Sequence, residues 1–105
     1  MINLPNLSKQ DQKFVTTLAH NILKARPYEL YVFGSRSKQA AWKPHSDLDL
    51  ALNGKGKIPR EILFKLEEAL EESELNYRVD LIDLQRISGE FKQTIQRDLV
   101  LLHKS

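Results

Sequence analysis

The stretch that most constrains this chain runs from Asp47 to Leu52 and alternates acidic or small residues with leucine. Successive side chains of a β-strand point to opposite faces, so Asp47, Asp49 and Ala51 share one face and three leucines share the other. The leucine face can pack against helices. Aspartate is a poor strand former and an unpaired buried carboxylate is costly, so the aspartate face needs a reason. Two carboxylates at this spacing make an oxygen-rich site of the kind that suits Mg²⁺.

A glycine-serine turn precedes this strand in the sequence. A short apolar run leads into Gly34-Ser35, and a short helix is predicted from Ser35 to about Gln39. A turn that opens onto a helix N-terminus offers free backbone N–H groups, which suit phosphate. Arg36 and Lys38 add positive charge beside the turn. Metal ligands next to a phosphate-binding turn indicate phosphoryl or nucleotidyl transfer.

Length and composition limit the class of protein. With 105 residues the chain has the size of a single domain, residues 1–105, with a modest core. Charged residues make up 29% of the chain and the AVILMFWYC class 41%, a balance typical of soluble globular proteins. The sequence has no apolar run of membrane-spanning length, no signal peptide and no cysteine. We therefore expect a cytoplasmic protein with no membrane contact and no disulfides.

The charge of the chain is unevenly distributed. The net charge of +2 does not by itself indicate a nucleic-acid partner. Basic residues dominate residues 36–60, where they are Arg36, Lys38, Lys43, Lys55, Lys57 and Arg60. Residues 61–74 carry six glutamates against Lys65. We expect the basic residues to lie in loops around the proposed site and to attract a nucleotide, and the acidic residues to form a solvated helix surface.

The apolar periodicity predicts the order α-β-α-β-α-β-α and an α/β (α+β) fold with a small mixed three-stranded sheet. Helices are predicted over residues 8–25, 35–39, 59–73 and 88–97, and strands over Tyr28–Phe33, Asp47–Leu52 and Tyr77–Leu84. Val100–Leu102 is an apolar tail that lies against the sheet or a partner, and Asp83 is expected to be a cap or a surface charge. A helix joins the second and third strands, which predicts parallel pairing. The first two strands must be antiparallel if Gly34-Ser35 is to face Asp47.

The third strand brings another aspartate to the same face. Val79 and Leu81 alternate with Asp80, so Asp80 lies with Asp47 and Asp49 if the apolar pair joins the leucine face. Three carboxylates on one face repel each other unless a cation is present, and with Mg²⁺ they become ligands. The alternative is that Asp47 is a turn cap and Asp80 a surface charge. The matching strand parity of all three favours the site.

These residues suit an in-line displacement with two metal ions, which clamp the entering and leaving oxygens. Asp47 and Asp49 would link the metal to a triphosphate. Asp80 would hold a second ion, accept the proton of the attacking hydroxyl, or do both. The residues assigned to the β- and γ-phosphates are Gly34, Ser35, Arg36 and Lys38. Pyrophosphate would leave and a nucleoside monophosphate would be transferred.

The combination of Gly34-Ser35, Asp47-Leu48-Asp49 and Asp80 resembles the signature of the DNA polymerase β nucleotidyltransferase superfamily. Over residues 15–102 the chain is similar to the minimal nucleotidyltransferases (MNT proteins), the antitoxins of HEPN/MNT toxin–antitoxin pairs. The resemblance implies the superfamily's mixed-sheet core, with the three aspartates as metal ligands and Gly34-Ser35 as the nucleotide-phosphate turn. The chain departs from the family pattern at Gln39, where glycine is common, which affects the loop that enters the site.

The resemblance also implies a partner, a small helical HEPN ribonuclease. The antitoxin would neutralise it by transferring AMP from ATP to one of its tyrosines, by binding it, or by both. A site on the open face of a three-stranded sheet has no second wall, so we expect a second copy or a different protein to close it. The isolated chain should then bind nucleotide weakly.

Two other functions compete with this one. The first is a non-catalytic antitoxin that neutralises the HEPN toxin by direct binding. The second is modification of a small molecule such as an aminoglycoside, but those relatives are longer and carry a separate acceptor-binding domain. Polymerisation and direct nucleic-acid binding are disfavoured because the sequence has no basic groove long enough to follow a backbone.

Overall fold

A computed structural model describes residues 4, 7–24, 26–34 and 47–105 of the chain. The elements are α1 (Lys9–Leu23), β1 (Tyr28–Phe33), β2 (Leu48–Gly54), α2 (Arg60–Glu71), β3 (Val79–Asp83), α3 (Gly89–Gln96) and β4 (Val100–Lys104). Each of the three predicted strands and the three long predicted helices is present within two residues of its expected bounds. The short helix predicted over residues 35–39 lies outside the described residues.

The strands form one mixed sheet in the order β3-β2-β1-β4. As predicted, β1 pairs with β2 antiparallel and β2 pairs with β3 parallel. The predicted strand number was wrong, because the apolar tail forms a fourth strand, Val100–Lys104, antiparallel to β1. None of its five residues is fully buried. Its sequence also lacks the alternation of apolar and polar residues that predicts a half-buried strand.

The leucine face of the sheet carries the main core. Its most buried strand residues, all 1% exposed or less, are Leu30, Val32, Leu48, Leu50 and Leu52. They pack with Val15, Ala19 and Leu23 of α1 and with Leu66 and Leu70 of α2. Burying a leucine side chain contributes about 2–3 kcal/mol, so this face supplies most of the apolar stabilisation of the fold. The alternation in β2 predicted this face correctly.

The aspartate face carries a second, smaller core. Phe33 of β1, Ala51 of β2 and Leu84 after β3 are buried there with Ile95 of α3. Ile95 is the one buried residue among the eight of α3, so it is the residue that anchors this helix in the second core. The expectation that the face has no second wall was therefore wrong for the part next to Ala51, which α3 covers.

Two polar contacts of Asp11 define the start of α1. The Ser8 hydroxyl accepts a hydrogen bond from the Asp11 N–H at 3.1 Å, which caps the helix at the residue predicted to start it. The Tyr77 hydroxyl donates to Asp11 Oδ2 at 2.6 Å. The helix start is thereby tied to the segment that leads into β3.

Across the part of the chain that the structure describes, no helix has both the length and the apolar character needed to span a membrane.

Candidate functional site

Three strands bring an aspartate pair and a phenylalanine into one row. Asp49 of β2 is the register partner of Asp80 in the parallel strand β3. On its other side, Asp49 is the register partner of Phe33 in β1. Directly paired residues point to the same face of a sheet. The predicted parity is therefore confirmed, since Asp49 and Asp80 lie side by side on the face opposite the leucines.

The surroundings of Asp49 disfavour its negative charge. Burial beside the sheet raises the pKa of the Asp49 carboxyl, and the nearby charges of Asp80 and Asp47 raise it further. Asp47 is exposed just before β2, whereas Asp49 and Asp80 are partly buried. As they stand, no three Asp, Glu or His side chains of the described residues form a group arranged to hold a metal ion. The site nevertheless concentrates negative charge that a cation would relieve.

Gly34 places the turn after β1 against this carboxylate. Its φ is +74°, in the left-handed region that favours glycine. A Cβ at this position would collide with Asp49 Oδ2 and would lie 3.3 Å from Asp49 Cγ. The predicted glycine turn is thus next to the aspartate row. The residues assigned to phosphate beyond it, Ser35, Arg36 and Lys38, lie outside the described residues, as does Gln39.

An arginine that the sequence reasoning left without a role contacts the site. Arg78 Nε lies 3.3 Å from Asp80 Oδ1, and the two side chains are 75% and 43% exposed. Arg78 precedes Asp80 by two residues, so strand parity placed it on the same face. That parity was the available signal, and the ion pair itself is visible only in the structure.

Asp83, the last aspartate of β3, has a structural role and is not part of the aspartate row. It is 3% exposed, so the expectation of a surface charge was wrong. Its Oδ2 accepts the Ile58 N–H at 2.8 Å and its Oδ1 accepts the Gln85 N–H at 2.9 Å, so it does cap the turn after β3. Arg86 Nε lies 3.5 Å from Asp83 Oδ2, and Arg86 Nη2 donates to the Ile58 carbonyl at 2.8 Å. These contacts join the loop before α2 to the end of β3.

Comparison with known proteins identifies the family to which this chain belongs. The family model described as "Polymerase beta, Nucleotidyltransferase" matches residues 12–105. The chain belongs to the polymerase β nucleotidyltransferase family. A nucleotidyltransferase from Haemophilus influenzae, called "Probable protein adenylyltransferase MntA", is 31% identical over 99 residues, which are 94% of this chain and 84% of that protein. The resemblance inferred from the aspartate and glycine motifs is therefore confirmed.

Solved nucleotidyltransferase structures share the fold. One is a complex of a tri-AMPylated Shewanella oneidensis HEPN toxin with an MNT antitoxin, with a TM-score of 0.70 and 22% identity over 92% of this chain and 72% of that one. Another is a toxin–antitoxin complex with AMP-PNP, with a TM-score of 0.73 and 23% identity over 90% of this chain and 74% of that one. At these identities the likeness shows the fold, and it confirms the predicted nucleotidyltransferase core.

Three of the basic residues lie away from the aspartate row. Lys55, Lys57 and Arg60 follow the C-terminal end of β2, whereas the aspartates are at its start. Lys55 is six positions after Asp49, which corresponds to about 20 Å at 3.3 Å per residue of strand. The expectation that these loops surround the site was wrong for these three, because β2 carries the chain across the whole sheet. The other predicted basic residue not yet placed, Lys43, lies outside the described residues.

Proposed function

We propose that this nucleotidyltransferase transfers AMP from ATP to a tyrosine of a partner HEPN ribonuclease toxin and thereby acts as its antitoxin. The observation that carries the proposal is the pairing of Asp49 with Asp80 across β2 and β3, with Gly34 against Asp49. The chain's similarity to a protein named as an adenylyltransferase supports the reaction. Its likeness to an antitoxin in complex with an AMPylated HEPN toxin supports the acceptor.

The proposed metal ligands are Asp47, Asp49 and Asp80. Their oxygens match the preference of Mg²⁺, and a cation would offset the burial and repulsion that raise the pKa of Asp49. Bound Mg²⁺, as one ion or two, would supply positive charge to the phosphate oxygens during the transfer. Gly34 and the residues assigned with it, Ser35, Arg36 and Lys38, would hold the β- and γ-phosphates.

The proposed reaction is an in-line displacement at the α-phosphorus of ATP. The oxygen of the acceptor hydroxyl forms the new P–O bond, the bond to the β-phosphate oxygen breaks, and pyrophosphate leaves. Asp80 is partly exposed on the edge strand β3, where it could take the proton of the hydroxyl or help to hold a second ion. Asp47 and Asp49, next to it in the sheet, would hold a metal ion and would orient the triphosphate only through that ion.

A partner would complete the site. One part of the aspartate face is covered by α3, and Asp47 is exposed at the other end. We infer that the toxin supplies the missing wall and the acceptor hydroxyl together, so the isolated chain should bind ATP weakly. We further propose that residues 1–105 act as one domain in the cytoplasm. Tight binding of ATP and Mg²⁺ by the isolated chain would contradict the need for a partner.

Replacing two aspartates separates modification from sequestration. We would combine Asp47→Asn with Asp49→Asn, mix the variant with the HEPN toxin and ATP, and measure complex formation and the toxin's ribonuclease activity. If AMP transfer neutralises the toxin, the complex still forms but the ribonuclease stays active. If the variant still neutralises the toxin, the protein is a non-catalytic antitoxin that acts by binding. A matched control, Glu67→Gln with Glu68→Gln on α2, removes two charges away from the aspartate face.

A further inference from the structure

The ion pair between Arg78 and Asp80 lies at the open end of the aspartate row. The Leu48 N–H donates to the Arg78 carbonyl at 2.8 Å, which fixes the backbone of Arg78 beside the start of β2. Leu48 is the register partner of Val79, so Asp47, the residue before Leu48, runs alongside Arg78. The arginine is therefore flanked by Asp47 on the neighbouring strand and Asp80 on its own. Within the described residues, its guanidinium is the cation that contacts the aspartate row.

A guanidinium and a divalent cation would meet the same electrostatic need at this carboxylate. Arg78 Nε already lies 3.3 Å from Asp80 Oδ1, and a metal ion bound to Asp80 would be repelled by the adjacent positive charge. The ion pair is exposed on both sides, and exposed pairs contribute little free energy. An incoming cation can therefore displace the guanidinium.

We propose that Arg78 is a positioning residue that holds Asp80 when no cation is bound and competes with the divalent cation for that carboxylate. The inference rests on the proposed function, because it takes Asp80 as a metal ligand. Displaced from Asp80, the guanidinium would find a new anionic partner in the triphosphate of ATP. Arg78 thereby weakens binding of the metal alone and couples binding of the metal to binding of the nucleotide.

The test measures binding of Mn²⁺, a paramagnetic substitute for Mg²⁺, to the isolated chain without nucleotide or toxin. Electron paramagnetic resonance reports the free Mn²⁺ in titrations of the wild type, Arg78→Ala, Arg78→Lys and Asp80→Asn. We expect Arg78→Ala to tighten Mn²⁺ binding about two- to fivefold, the range set by an exposed ion pair. Arg78→Lys, which keeps the charge without Nε, should fall between. Lys92→Ala, which removes a charge from exposed α3, is the matched control and should change nothing.

A double-mutant cycle distinguishes direct competition from a general effect of charge. If Arg78 acts mainly by holding Asp80, Arg78→Ala should tighten Mn²⁺ binding clearly less in the Asp80→Asn background than in the wild type. Equal tightening in both backgrounds, no tightening in either, or no Mn²⁺ binding by any of the variants would overturn the proposal. Thermal unfolding of each variant checks that the fold is retained.

The two proposals fail differently. If the double-mutant cycle gives the expected result but no AMP is transferred to the toxin, the proposed function is contradicted and the competition at Asp80 stands. If AMP is transferred but Arg78→Ala has no effect on Mn²⁺ affinity, the competition at Asp80 is contradicted and the proposed function stands.

Discussion

Gly34 lies against the carboxylate of Asp49, and the space that a Cβ would fill at Gly34 is taken by Asp49 Oδ2. The contact joins the glycine turn, which we assign to phosphate, to the aspartate pair, which we assign to the metal ion. It gives Gly34 two separate requirements, a left-handed backbone with φ of +74° and the absence of a side chain. The glycine is therefore needed to position a carboxylate as well as to form the turn.

Gly34→Ala should damage both the fold and the site. The left-handed backbone alone costs a non-glycine residue about 1–2 kcal/mol. The added methyl group also pushes the Asp49 carboxylate out of place, so AMP-PNP binding in the presence of Mg²⁺ and toxin should fall strongly. Urea unfolding and a nucleotide titration measure the two effects. In an Asp49→Ala background the steric part should vanish and the backbone part should remain, and equal unfolding costs in both backgrounds would refute the clash.

Asp49→Asn should stabilise the metal-free fold at neutral pH while removing activity. Because the pKa of Asp49 is raised above its ordinary 3.8, mainly by burial, the folded state takes up a proton more readily than the unfolded state. Ionised Asp49 therefore costs stability above the raised pKa, and the cost disappears below the ordinary value. The gain from Asp49→Asn should be present at pH 7 and absent near pH 3. Urea unfolding with a chelator at both pH values measures it.

Glu29→Gln is the matched control with the opposite sign. Hydrogen bonds from the Asn53 amide and then the Tyr31 hydroxyl lower the pKa of Glu29 below its ordinary 4.5. Ionised Glu29 therefore stabilises the fold above pH 4.5, and that contribution is lost as the pH falls through the lowered pKa. Glu29→Gln should be less stable than the wild type at pH 7, with the difference shrinking in acid. The same sign for both variants at pH 7 would contradict this electrostatic account.

Asp83→Ala should be strongly destabilising although it is not a site residue. It leaves the Ile58 and Gln85 N–H groups and the Arg86 side chain without their carboxylate partner. Breaking a buried ion pair from one side costs about 3–5 kcal/mol, and Arg86 is 24% exposed, so the lower end applies. Thermal unfolding measures the loss. Glu68→Ala, on the exposed surface of α2, should cost less than about 0.5 kcal/mol, and similar losses in the two variants would argue against a structural role for Asp83.

Ile95→Ala should loosen α3 from the sheet. Ile95 is the buried residue of this helix, and truncating a buried isoleucine costs about 2–5 kcal/mol. Hydrogen exchange should then show lost protection in α3 while α1 keeps its own. Phe91→Ala on the same helix is the control, because Phe91 is 41% exposed. If α3 amides exchange equally in both variants, Ile95 is not what holds the helix.

The sequence was most informative where a local pattern has one structural meaning. The apolar run between Pro27 and Gly34 predicted β1 to the residue, since both of its ends are marked by residues that interrupt strands. The alternation in β2 predicted which face is buried and placed Asp49 with Asp80. That parity, read together with the glycine turn, was enough to indicate the family.

The rest depended on contacts between distant parts of the chain. The buried Asp83 accepts a hydrogen bond from the Ile58 N–H, which lies 25 residues earlier in the chain. Nothing in the sequence near Asp83 indicates that contact. The edge strand β4 has three apolar residues followed by two polar ones, without the alternation of a half-buried strand, and it was therefore predicted only as an apolar tail. The Lys55 and Lys57 loop was assigned to the site because it follows the aspartates in sequence, although β2 separates them in space. Arg78 could be placed on a face but not in an ion pair.

The most direct test of the central claim is the intact mass of the HEPN toxin after incubation with this protein, ATP and Mg²⁺. A gain of one or more AMP units, absent when the protein carries Asp47→Asn or Asp49→Asn, is the predicted result, and peptide mapping would then identify the tyrosine. An unchanged mass, with a stable complex between the two proteins, would contradict AMP transfer and make this chain an antitoxin that acts by binding alone.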